Sequence, residues 1–192
     1  TGGMKVHYVS REVSKPGSPT DPVDTVIDCA RSLPFAEALA VADSALRSRM
    51  VTRTQLQAAA EASPRTGRAR ALRVLRRADP KADNPFESGL RAIALEVPGF
   101  EAVAQCVVPG VGHADVGDSR LRIALEAESF EFHSGKDAFE YDVRRYTAMV
   151  RDGWLVGRFV WDEVMHRPSY VTEVIADLVD LRGVSSRARA RA

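Results

Sequence analysis

Two hydrophobic periods divide this chain. Between residues 20 and 80 the apolar positions recur every three or four residues, the spacing of one face of a helix. Val23, Val26, Ile27 and Ala30 form one such stripe, and Phe35, Leu39, Ala42 and Leu46 form the next. Asp21 before Pro22 supplies an N-cap with proline at the first helical position, and Pro34 ends that helix. Thr52 with Gln55 three residues on predicts a capping box, opening a third helix through Leu56 to about Ala62. After Pro64 and Gly67 a fourth helix is expected from about Arg68 to Ala78.

After the polar linker Asp79 to Pro85 the pattern changes. Asn84 with Pro85 caps a helix through Phe86, Leu90, Ile93, Ala94 and Val97, and Pro98-Gly99 stops it. Ala102 to Val108 then reads as a strand, and Pro109, Gly110 and Gly112 as a turn. A second strand surrounds Asp115. In the third, Leu121 to Glu128, the residues Leu121, Ile123, Leu125 and Ala127 alternate with Arg122, Glu126 and Glu128, the period of a strand. Phe139, Val143, Tyr146 and Val150 keep the helical period and predict a helix, ended by Gly153. Trp154 to Trp161 is apolar on both parities apart from Arg158, which predicts a strand internal to its sheet with both tryptophans in the core. A helical segment from Asp162, broken at Pro168, continues through Val171, Val174, Ile175 and Leu178.

From residue 85 the order is therefore helix, three strands, helix, strand, helix. A strand reached through a helical crossover implies a mixed sheet with helices packed on it. The expected organisation is a helical module over residues 1–80 with a short strand at Lys5 to Arg11, an α/β domain over 84–182, and a disordered basic tail over 183–192. Thr1-Gly2-Gly3-Met4 reads as the start of a fragment, so a larger N-terminal region is expected.

Composition narrows the function classes. A formal net charge of +1 excludes a globally basic protein, so nucleic-acid contacts must come from local patches. The best patch is the fourth helix, where Arg70, Arg73 and Arg77 share a face. Two cysteines, Cys29 and Cys106, without metal-site spacing, suggest buried free thiols in a cytoplasmic protein. No apolar run approaches the roughly 20 residues of a membrane span.

The chemistry concentrates between His113 and Lys136, which holds Asp115, Asp118, Glu126, Glu128, Glu131 and His133. Glu126 and Glu128 project from one strand face, and the turn through Gly117, Asp118 and Ser119 brings Asp115 back beside Glu126. Carboxylates so crowded either lie in water or share a cation, and an all-oxygen group suits magnesium or manganese. Glu87, in the first turn of its helix, is explained by the helix dipole unless that helix abuts the carboxylate strands. Asp142 with Arg145 reads as a surface pair on a helix, or as a brace for the hairpin.

This order, with an aspartate on the second strand and a carboxylate pair ending the third, resembles the restriction-endonuclease-like fold. Residues 84 to about 180 look like the branch related to very-short-patch-repair endonucleases, a widespread uncharacterised bacterial family. The likeness rests on Glu87-Ser88 in a helix, the strand residue Asp115, the strand end Glu126-Ala127-Glu128-Ser129, His133, Asp142 with Arg145, and Gly153-Trp154. The family has Glu-x-Asp-Gly where this chain has Glu126-Ala127-Glu128-Ser129, and the wider superfamily often has lysine in place of Glu128; His133 or Lys136 is the expected substitute. The upstream part, with Thr20-Asp21-Pro22 and Ala42-Asp43-Ser44-Ala45-Leu46, resembles the middle region of proteins with an abortive-infection antitoxin-like segment.

The resemblance implies a Mg²⁺- or Mn²⁺-dependent nuclease acting on DNA phosphodiesters. Asp115 and Glu126 would be the metal ligands, and Glu87, Glu128 and His133 further catalytic residues; the basic face of Arg70, Arg73 and Arg77 read from helix spacing, together with Arg145, would then contact DNA. The alternative is a catalytically degenerate DNA-binding or antitoxin-like regulatory module, with a toxin or other protein as partner.

Overall fold

A computed structural model describes residues 20–128 and 136–189 of the chain. Four helices come first: α1 (Pro22–Ser32), α2 (Phe35–Arg47), α3 (Arg53–Ala62) and α4 (Arg65–Arg77). Their caps follow from the local sequence. Asp21 accepts hydrogen bonds from the Val23 and Asp24 amides, and Thr52 and Gln55 close the expected capping box. Helix α4 begins three residues earlier than expected because Gly67, at φ 79°, lets the chain kink instead of stopping.

Arginine forks tie these helices together by their C-terminal carbonyls, which have no partner inside their own helices. Arg53 donates to the Leu75 and Ala78 carbonyls at 3.1 and 2.7 Å, Arg70 to Leu33 at 2.8 Å, and Arg91 to Arg77 at 2.8 Å. Much of the arginine content of this half therefore has a structural use.

The second half runs α5 (Pro85–Ala94), β1 (Val103–Val108), β2 (Gly112–Asp118), β3 (Ile123–Glu128), α6 (Lys136–Arg151), β4 (Leu155–Val160), α7 (Trp161–His166) and α8 (Pro168–Arg189). Among the described residues the sheet has four strands in the order β1-β2-β3-β4, with antiparallel pairing up to β3 and a parallel β3–β4 pair. It is thus the expected mixed sheet with helices. Gly117 allows β2 to approach β1, since a Cβ there would lie 2.8 Å from the Cys106 Cβ.

Two expectations are corrected. Among the described residues, strand β4 lies at the edge of the sheet rather than inside it. Its both-parity apolar pattern comes from helices on its two faces: Phe159 joins the core beneath α5 and α8, while Val156 joins Met149 of α6 and Trp154 on the other side. Trp161 is not a core residue. It opens α7, is 52% exposed, and packs at a 5.3 Å centroid distance on Phe86, whereas Trp154 is buried. On α6, Phe139, Val143 and Val150 face outward, and the inward face carries Met149, Tyr146 and Arg145. The sheet side of α6 is partly polar because it meets the carboxylates of β3, so of the apolar stripe only Tyr146 faces inward.

Helix α8 continues to Arg189, into the segment expected as a disordered tail. The strand expected at Lys5 to Arg11 lies outside the described residues. Among the described residues, no helix is long and apolar enough to cross a membrane.

Helix α5 is shared by two cores. Ala92 joins the core of the helical half, while Phe86, Leu90 and Ala94 pack with Val116, Ile123, Leu125 and Phe159 against the sheet. Beside it, fully buried Asp43 of α2 accepts hydrogen bonds from the Ser88 hydroxyl at 2.9 Å, the Arg91 guanidinium at 2.8 Å and the Asp79 amide at 2.7 Å. Cys29 and Cys106 are both free thiols.

Candidate active site

Asn84 caps α5 by accepting from the Phe86 and Glu87 amides. That geometry turns the Glu87 side chain back over the helix start, where it accepts from the Asp83 amide and the Asn84 side-chain amide, each at 2.8 Å. These bonds place Glu87 at the helix start, but they are only part of its surroundings. Glu87 is buried, and Gln105 reaches it from β1 at 3.1 Å. Burial, reinforced by the nearby charge of Asp115, pushes its pKa up to about 7, against the effect of the Asp83 amide. Helix α5 does abut the carboxylate strands.

Gln105 adopts a left-handed backbone, φ 49°, opposite Asp115, and the ladder pairs Ala104 with Val116 and Cys106 with Ala114 on either side of it. Asp115 accepts from the Ala127 amide of β3 at 2.8 Å. Burial raises its pKa, a rise opposed by that amide and by Arg145 and assisted by Glu128. Glu126 is 4% exposed and pairs with Arg145 of α6 at 2.8 Å. Even so its pKa is pushed up to about 8, first by burial and then by Asp115, against the pull of Arg145. Three carboxylates from α5, β2 and β3 thus have raised proton affinity, chiefly through burial, and the charge of Asp115 adds to the rise at both Glu87 and Glu126.

Glu128 behaves differently. Arg158 of β4 donates to it through Nε at 2.8 Å, and the Tyr146 hydroxyl donates to the same oxygen. Burial alone would raise its pKa, but these two partners hold it below the usual carboxylate range. The Arg158 guanidinium lies 4.1 Å from the centre of the Tyr146 ring. Burial and the Glu128 bond together raise the Tyr146 pKa.

The structure thus brings Glu87, Asp115, Glu126, Glu128 and Arg145 together. His133 lies outside the described residues. Arg145 pairs with Glu126 and the His113 carbonyl, so the brace is the relevant reading of its helix. Arg70, Arg73 and Arg77 sit on α4, which packs mainly on α1, α2 and α3. There Arg73 pairs with Glu96 at 2.6 Å and lies over the Phe35 ring. Asp118, expected in the turn, is instead the last residue of β2, and it braces the turn that follows: it accepts from the Glu101, Arg120 and Leu121 amides and from the Arg120 guanidinium. Although burial opposes it, these bonds hold its pKa low.

Sequence reasoning missed Gln105, Tyr146 and Arg158. Two of them carried a signal, since Gln105 is the lone amide in an apolar strand and Arg158 the lone charge in another. Tyr146 carried none, because its apolar ring satisfied the helical stripe.

The donors are all carboxylate oxygens, the hard ligands that Mg²⁺ and Mn²⁺ favour. Among the described residues no three of His, Cys, Asp and Glu form one ligand shell. A pair of carboxylates is nevertheless what Mg²⁺ commonly takes from a protein, since it retains waters and binds substrate phosphate for the rest. Asp115 and Glu126 fit that requirement. A separate cleft of about 430 Å³ between α1 and α2, lined by Val26, Val41, Ala45 and Met50 among others, has no acid or base in its wall.

The chain is similar to two curated mycobacterial proteins, the uncharacterised proteins MT2308 and Rv2248 from two Mycobacterium tuberculosis strains. Each is 31% identical over 166 residues, covering 84% of this chain and 61% of the relative. The chain therefore spans about three fifths of the length of these relatives. No protein-family model matches the chain, and no solved structure matches it.

Proposed function

We propose that this protein is a metal-dependent nuclease that hydrolyses DNA phosphodiester bonds in the cytoplasm, on a restriction-endonuclease-like α/β domain. The observation that carries this reading is the convergence of Glu87, Asp115 and Glu126, three buried or largely buried carboxylates from separate elements, each with raised proton affinity and with the charge of Asp115 acting on the other two. Buried acids at such cost to ionisation are a common mark of a functional site. The order of α5, three antiparallel strands, α6 and a parallel β4 supports the fold assignment.

Asp115 and Glu126 are the residues to hold Mg²⁺ or Mn²⁺. Bound there, the cation would polarise a phosphodiester oxygen and favour deprotonation of a water. Around it, the Ala127 amide fixes one Asp115 oxygen and Arg145 fixes one Glu126 oxygen. Glu87, with a pKa near neutrality, is poised to take up or release a proton.

A second reading has its own observation. Arg145 and Arg158 already compensate Glu126 and Glu128 within the protein. That arrangement favours a degenerate DNA-binding or antitoxin-like regulatory module with a toxin or other protein partner.

Nicking of supercoiled plasmid and cleavage of single-stranded DNA with Mg²⁺ or Mn²⁺ separate the two readings. Asp115→Asn and Glu126→Gln should each abolish cleavage while leaving the protein folded. Mn²⁺ should raise the parent's melting temperature through linkage, and Asp115→Asn should remove that rise. A parent that neither cleaves nor shows the Asp115-dependent shift leaves the regulatory module as the better account.

A further inference from the structure

We infer that Arg158 binds a backbone phosphate of the nucleic acid, positioned for it by Glu128 and Tyr146. The identity of the ligand rests on the nuclease reading above; the geometry does not. A carboxylate cluster repels a polyanion, so the strand must be met by donors at the rim. Arg145 is poorly suited, because its side chain is 15% exposed and is engaged by Glu126 and the His113 carbonyl. Arg158 is 50% exposed and lies in register with Glu126 on the neighbouring parallel strand, which sets it beside the acids rather than among them.

A half-exposed arginine ordinarily loses much rotamer freedom on binding. Here that freedom is already restricted. Glu128 takes the Nε–H at 2.8 Å, and the Tyr146 ring lies under the guanidinium at 4.1 Å. The amino fork is the part of the side chain whose geometry matches paired phosphate oxygens. This also gives Glu128 a use. Its carboxylate accepts from Arg158 and the Tyr146 hydroxyl, and the extra methylene it has over aspartate lengthens its reach toward β4. Glu128 is then a positioning residue, and the positive charge comes from β4 instead of β3.

The test is equilibrium binding of a labelled duplex and a labelled single-stranded oligonucleotide by fluorescence anisotropy over a salt series, once with EDTA and once with Ca²⁺. Arg158→Gln should weaken binding several-fold and lower the slope of log affinity against log salt by about one. Arg158→Lys, which keeps the charge, should keep the slope while losing part of the affinity. A purely structural role for Arg158 would shift the melting temperature without moving the slope. Equal slopes and affinities for the parent and Arg158→Gln overturn the inference, as does a parent that binds neither oligonucleotide under either condition. A parent that binds through Arg158 but never cleaves leaves this inference standing and removes the nuclease. A parent that cleaves, with Arg158→Gln indistinguishable from it in binding, does the reverse.

Discussion

Glu126 carries the clearest consequence at the scale of one residue. Its folded pKa of about 8 lies far above the ordinary carboxylate value of about 4.3, so the native state binds more protons than the unfolded state between those values. Stability must then fall as pH rises through that window and level off above it. Thermal melts from pH 5 to 9 should show this decline, and Glu126→Gln should flatten it, leaving the smaller part due to Glu87. Arg145→Met removes the only cation paired with Glu126 among the described residues and should cost about 3–5 kcal/mol above pH 8. At pH 6 the cost should shrink, because Glu126 is then neutral; equal costs in urea titrations at both values would contradict the assignment. Asp118 has the opposite sign. Its pKa is depressed, so its contribution is complete above about pH 4 and lost as pH falls through the folded value. Asp118→Ala should accordingly cost about 1–3 kcal/mol at neutral pH and progressively less in acid. Strand alternation made Glu126 and Asp115 legible in the sequence as neighbours on a hairpin, although the turn lies after Asp118 rather than through Gly117 and Asp118, which pair with Ala124 and Ile123. Arg158 was not legible, because pairing between β3 and β4 is fixed only by the tertiary crossover through α6.

Elements were legible where a cap or a proline marked them and less so where packing decided. Asp21-Pro22, Thr52 with Gln55, and Asn84-Pro85 each start a helix as expected, because the satisfied amides are local to those residues. The face of α6 and the place of β4 are set by neighbours distant in sequence. An apolar strand covered on both faces looks the same at the edge of a sheet as in its middle, and a helix lying on a charged site inverts its usual pattern. The assignment of α6 is open to a direct check. Met149→Ala should cost about 2–5 kcal/mol, since Met149 is buried with Cys106, Val108 and Trp154. Phe139→Ser, Val143→Ser and Val150→Ser should each stay within about 0.5 kcal/mol, because those side chains are exposed. The reverse ranking in denaturant titrations would place the apolar stripe inward.

At the scale of the whole molecule, Asp43 links the helical half to the helix that carries Glu87. It is fully buried, its ion pair with Arg91 is buried on both sides, and Ser88 and Arg91 flank the same turn of α5 as Glu87. Burial raises the Asp43 pKa, against Arg91 and its hydrogen bonds to Asp79 and Ser88. Asp43→Ala strands the Arg91 guanidinium, whose Nε already lacks a hydrogen-bond partner, and should cost about 3–5 kcal/mol. Replacing the pair together, Asp43→Leu with Arg91→Met, should recover most of that loss, because the desolvated charges disappear along with their attraction. How the loss is distributed tests whether the two cores unfold as one. Trp154 and Trp161 both lie in the sheet half, so their fluorescence reports that half, while far-UV circular dichroism weighs the helices of both. Because α5 contributes Ala92 to one core and Leu90 to the other, Asp43→Ala should lower both urea midpoints together, although Asp43 touches neither tryptophan region directly. A fluorescence midpoint that stays at the parent value while the dichroism midpoint falls would show that the halves unfold independently, and that the position of Glu87 owes nothing to the helices before it.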